Sequence, residues 1–171
     1  GWLAGRLLVH GGDDVAGGRC GEMGKSTAQG GSWAPCDGWR AAGKGNPPSR
    51  SGAASAVGLG SAWFVGGWQR DTNAGLWVPR GDLWRFGGTQ STWSVVGTSS
   101  IPARHHAAAA VQVQPPSVWV HGGDAGTSAG LGVLMPDIRR YRLDLSTWEL
   151  PPIQGKPPEA RAEHGLVALG Q

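Results

Sequence analysis

The sequence predicts an all-β chain: a partial β-propeller of about three four-stranded units, belonging to a larger closed propeller. Three observations predict it. The 171 residues include 31 Gly, 12 Pro and 10 Trp. Sequence markers recur with a common step of about 55 residues. No stretch sustains the i, i+3, i+4, i+7 apolar spacing of a helix, and Gly or Pro interrupts nearly every window of that length. Gly and Pro at this level can signal a disordered chain. Ten Trp argue otherwise, because they supply apolar surface to offset the entropy of ordering. Many short strands joined by tight turns suit the mixture.

The repeat rests on four markers. Gly-Gly doublets close three apolar runs: Leu7-Leu8-Val9-His10-Gly11-Gly12, Ala62-Trp63-Phe64-Val65-Gly66-Gly67 and Val118-Trp119-Val120-His121-Gly122-Gly123. Their steps are 55 and 56 residues. Trp39, Trp93 and Trp148 follow at steps of 54 and 55. Arg50, Arg104 and Arg161, each just after a Pro, are 54 and 57 apart. Asp82 and Asp137 each stand 11 residues before a marker Trp, whereas the corresponding position 28 is Ala28. A single period shared by several markers is the signature of a repeat architecture. Each unit reads as four strands: one after the Arg (Ala107 to Val113), one into Gly-Gly (Val118 to His121), one after the Asp (Leu83 to Phe86) and one around the Trp (Thr92 to Val96). Four strands per unit, stacked about an axis, is the propeller plan. The units run approximately over 1–46, 47–100 and 101–155, and 156–171 starts the next. Leu166-Val167-Ala168-Leu169 is expected to be a first strand. A closed propeller has at least four such units, so further ones are expected outside this chain.

These residues resemble the kelch-repeat family of the galactose-oxidase-like superfamily. Its motif places Gly-Gly after an apolar strand, then an aromatic and a Trp, then a Pro-x-x-Arg-x-x-His-like start. Arg161 and His164 match that start, while Ala53 and Ala107 replace the His of the earlier units. The structural repeat residues are therefore Gly11, Gly12, Trp39, Arg50, Gly66, Gly67, Trp93, Arg104, Gly122, Gly123, Trp148 and Arg161. The doublets are expected to take positive φ and admit a close backbone. Trp, with Phe86 or Tyr141, is expected to pack unit on unit. The Arg is expected to donate to carbonyls of adjacent turns.

Charge and motifs narrow the function. Net charge is +3, from 12 Arg and 3 Lys spread along the chain. That suits a solvated surface better than a nucleic-acid partner. The densest basic cluster, Arg139, Arg140 and Arg142, falls in an expected strand. No apolar run reaches membrane-spanning length, so no membrane insertion is expected. Cys20 and Cys36 lack zinc-ligand spacing, and thiols or a disulfide both fit. Gly126-Thr127-Ser128-Ala129-Gly130 has the GxSxG pattern without the helix that a nucleophile elbow needs. Gly24-Lys25-Ser26 resembles the end of a phosphate loop, but Arg19 stands where its first Gly belongs. His105 and His106, as strand neighbours, are expected to point to opposite faces. His10 and His121 share a slot with Val65, which suggests packing. The copper and iron sites of related oxidases and specifier-type proteins are not matched: Tyr141 is the one Tyr, and no His has acidic residues four and eight places before it. No catalytic residue, cofactor or metal is expected.

Long connections remain, at 13 into the thirties, 68–81 and 124–136. Long connections often carry function. Trp68, Arg70, Trp77 and Arg80 lie in the middle one, and Trp and Arg are enriched at binding hot spots. The expectation is a protein-protein interaction scaffold, not an enzyme, within a larger protein or assembly. An extracellular carbohydrate-binding or galactose-oxidase-like propeller is the alternative. The sequence leaves the compartment open; a cytoplasmic or cytoskeletal setting is slightly favoured, with an extracellular one the alternative.

Overall fold

The computed structural model describes residues 47–48, 50–87, 92–97, 101–130 and 132–169, and the backbone of the strands β1 (Trp2–Leu3), β2 (Arg6–His10) and β3 (Met23–Lys25). The markers Gly11, Gly12 and Trp39, the Ala28 position, and both cysteines lie outside the described residues. The remaining strands are β4 (Arg50–Ser51), β5 (Ala54–Gly58), β6 (Ser61–Val65), β7 (Trp68–Asp71), β8 (Leu76–Pro79), β9 (Leu83–Gly87), β10 (Thr92–Val95), β11 (Ala108–Gln112), β12 (Ser117–His121), β13 (Ile138–Arg142) and β14 (Thr147–Glu149). No helix occurs among the described residues, so none there could cross a membrane.

The chain is all-β, in antiparallel sheets of three or four strands. Two sheets have four strands each, in the orders β5-β6-β9-β10 and β11-β12-β13-β14. They fall within 47–100 and 101–155, and their strands meet the expected ones to within a residue or so. The third sheet, β1-β2-β3, is described by its backbone alone, and there Gly24 and Lys25 sit in β3 rather than at a helix start. In the fourth, β4-β7-β8, the strands β7 and β8 occupy the 68–81 segment that the sequence reads as a loop, and β4 pairs with β7. The Asp71 carboxylate accepts the N–H groups of Asn73 and Ala74, and Gly75 takes φ 68°, which closes the β7–β8 turn.

Strand alternation builds the core. Ala54, Trp63, Val65 and Leu83 point to one face of the first four-stranded sheet. They pack with Val118, Val120 and Tyr141 from the opposite-type face of the second. Ala62, Phe64, Phe86 and Trp93 fill the first sheet's other face. The marker Trp and its aromatic pair across adjacent strands of their own sheet rather than between units, with one geometry: Phe86–Trp93 centroids are 5.2 Å apart at 61°, and Tyr141–Trp148 centroids 5.2 Å apart at 63°. Arg85 over Trp63 and Arg140 over Trp119 repeat a cation–π pair at matching slots. Arg139, Arg140 and Arg142 lie in β13 and pair locally with Asp137, Glu149 and Asp144, so the basic cluster is largely neutralised.

The Gly-Gly and Arg markers meet at one junction. Gly66 and Gly67 take φ 64° and 95°, and Gly122 and Gly123 take φ 67° and 97°. Only Gly holds such angles without strain, and a Cβ on Gly66 would strike the Arg104 carbonyl. The Gly67 N–H donates to the Arg104 carbonyl at 2.8 Å, and the Gly123 N–H to the Arg161 carbonyl at 2.8 Å. The guanidiniums turn the other way. Arg50 donates to Gly66 O at 2.9 Å and forks onto Asp82 at 2.7 and 3.0 Å. Arg104 donates to Gly122 O at 3.0 Å and forks onto Asp137 at 2.8 and 3.0 Å. Both Arg are essentially inaccessible, at 1% and 0% exposure. A charge so buried is tolerated only when paired and fully hydrogen-bonded.

Candidate functional site

The long connections gather where β6 and β12 end and β9 and β13 begin. The hairpin β7–β8 stands there. Arg70 lies opposite Trp77, and Trp68 opposite Pro79. With the two-residue alternation of strands, Trp68, Arg70, Trp77 and Pro79 share one face. Arg80 belongs to the other side: its Nε donates to Gln69 Oε1 at 3.0 Å, and its backbone bridges to Arg104. Three of the four candidate residues therefore come together, and Arg80 is a brace.

Their roles differ. Trp68 is anchored: its ring lies 4.2 Å from that of His105, and its Nε1 donates to Gly126 O at 3.3 Å. Arg70 is exposed, and Trp77 is half-buried beside it. The β8 edge at Trp77 is clasped by the next unit's loop. The Trp77 N–H donates to Ser128 Oγ at 2.9 Å, and the Ser128 N–H donates to the Trp77 carbonyl at 3.1 Å. The GxSxG serine thus serves as a backbone clasp. Asp124 shapes that loop by accepting the N–H groups of Gly126 and Val133, each at 2.7 Å. Burial pushes the Asp124 carboxyl upward, but these N–H groups and the nearby His105 and His106 hold it below the usual range.

Histidines line the same end, and one expectation about them is corrected. His105 and His106 do not point apart. His106 takes φ 53°, which interrupts the strand and swings its ring back, so the two Nδ1 atoms are 2.8 Å apart. Glu163 Oε1 is 3.8 Å from His106 Nδ1. His121, in the slot before Gly-Gly, is buried and shares a 2.8 Å hydrogen bond with His164 Nε2. Burial, then His164, Arg161 and Arg104, lower the His121 pKa against the opposing pull of Asp137. At the preceding junction the same slots hold Val65 and Ala107. The sequence signal was the coincidence of His in both slots of one junction. No group of three or more His, Cys, Asp or Glu placed to hold a metal ion occurs among the described residues.

Leu166–Leu169, expected to be a strand, lies instead as unpaired chain. Val167 and Leu169 are 76% and 86% exposed and Leu166 and Ala168 half-buried, and all four line an open apolar cavity of about 270 Å³ beside Ala110, Trp119 and Ile138.

No family model matches the chain, and no curated protein matches it.

Proposed function

We propose that the chain is an arc of a kelch-type β-propeller that serves as a protein-interaction scaffold within a larger protein or assembly, and that it is not an enzyme. The observation that carries this reading is the hairpin face of Trp68, Arg70 and Trp77, held by hydrogen bonds to the neighbouring unit. A pre-positioned aromatic and cationic surface binds without a large ordering cost. An amphipathic indole beside a guanidinium suits a protein surface with carboxylate and apolar groups. The Gly-Gly, Trp and Arg repeat supports the propeller part of the reading, because among the described residues the markers of 47–100 and 101–155 occupy matching places.

The test is affinity capture with the wild-type chain and with Arg70→Ala/Trp77→Ala, followed by mass spectrometry of what is retained. The double variant should keep its melting temperature and lose the proteins that the wild type retains in a saturable manner. Retention of the same proteins by both would remove the hairpin face from the proposal.

A further inference from the structure

We propose that residues 161–169 form a docking edge for one further β-unit, whose Gly-Gly strand pairs with 165–169 and whose carboxylate is bound by Arg161. This rests on the reading of the chain as an arc of stacked units. Three arginines hold one position in the repeat. Arg50, Arg104 and Arg161 share a local turn, since each Nε donates to the carbonyl two residues before it, at 3.2, 3.1 and 3.1 Å. The Arg161 carbonyl accepts from Gly123, as the Arg104 carbonyl accepts from Gly67. Its backbone is therefore seated on the preceding unit in the repeat's own way. Its guanidinium is not: Arg161 is exposed, and among the described residues no carboxylate answers it. In both earlier units that answer is a Gly-Gly carbonyl and an aspartate of the unit the Arg begins.

The apolar surface agrees. β11 begins four residues after Arg104 and ends eight after it, and 165–169 stand at the same offsets from Arg161. β11 pairs with β12 along its whole length, whereas 165–169 pair with nothing among the described residues. Exposure alternates along the segment as it would on a strand lying over a sheet. The covered face also looks unfinished. Trp63 is 3% exposed beneath the next unit, but the matching Trp119 is only half-buried, beside the apolar cavity. An open edge with exposed Val and Leu is a template for strand addition. The occupant is defined by chemistry: an apolar strand ending in Gly-Gly, then an Asp about 15 residues on, as Asp137 follows Gly122. The first unit of a second copy does not meet this description, because Ala28 fills its Asp position.

The test extends the full chain by a second copy of residues 115–155 placed directly after Gln171, which puts its Gly-Gly strand at the spacing of β12 from Arg104. Hydrogen–deuterium exchange is read at 165–169. Tethering makes the docking intramolecular, so a weak edge suffices. The amides should exchange about tenfold more slowly in the extended chain than in the original. That gain should vanish when Arg161→Ala is introduced, or when Asp137→Asn is made in the appended copy alone. No slowing would overturn the proposal. Slowing that survives both substitutions would overturn the role of Arg161. Amides already protected in the unextended chain, with a dimer by sedimentation, would show that a second copy is the occupant and overturn the assignment. None of these outcomes touches Arg70 or Trp77, so the hairpin-face reading stands or falls separately.

Discussion

Arg104 serves two units at once: its carbonyl receives Gly67 from one, and its guanidinium holds Gly122 and Asp137 of the other. Removing the side chain leaves the Gly122 carbonyl without its guanidinium donor and the half-buried Asp137 carboxylate with Arg139 alone. Arg104→Ala should cost about 3–5 kcal/mol in chemical denaturation. Arg161→Ala, at an exposed residue with one local bond, should change stability by less than about 0.5 kcal/mol in the unextended chain. Equal effects of the two would contradict the junction as described. Proton linkage acts at the same place. Burial raises the Asp82 and Asp137 carboxyls, but the hydrogen bonds and charge of Arg50 on one, and of Arg104 and Arg139 on the other, bring both below the ordinary 3.8. Their contribution is complete above that value and lost as pH falls below it. His121 is lowered from 6.5, so the unfolded chain takes up its proton first. Stability should therefore fall as pH drops below 6.5 toward the folded value. His121→Val with His164→Ala, the residues of the preceding junction, should remove that slope from a pH series of melting temperatures, and an unchanged slope would contradict it.

At the scale of elements, the hairpin β7–β8 divides its residues between support and display. Trp68→Ala removes the ring against His105 and the bond to Gly126, and should lower stability by about 1–3 kcal/mol. Trp77→Ala and Arg70→Ala should leave it unchanged to within about 0.5 kcal/mol and act on binding. A thermal melt of each single variant checks the division, and a Trp77 variant as damaged as the Trp68 variant would contradict it. The four-stranded sheets were legible in the sequence because Gly-Gly, Asp and Trp bracket their strands at fixed offsets. The hairpin was not. Trp68-Gln69-Arg70-Asp71 has no apolar alternation, and the turn signal in Asp71-Thr72-Asn73-Ala74-Gly75 was submerged in a Gly-rich stretch. The contact between His105 and His106 was hidden too, because a positive φ at a non-Gly residue leaves little trace in sequence. The Asp markers were visible, but their bond to a buried Arg some 32 residues earlier became evident only in the fold.

For the molecule as a whole, the proposal is that junctions of one backbone plan repeat about one axis. Each junction stacks one face of a sheet on the unlike face of its neighbour, so the arrangement continues until it closes or is capped. The apolar Val167 and Leu169 are the point at which the described residues leave that pattern incomplete. The most direct measurement is an electron cryomicroscopy structure of the protein within the larger polypeptide or assembly that is proposed for it. The account predicts four-stranded sheets set radially around one axis, with a further sheet paired to 165–169 and a carboxylate on Arg161. Sheets packed as a two-layer sandwich, or Leu166–Leu169 left bare to solvent with Arg161 unbound, would contradict it.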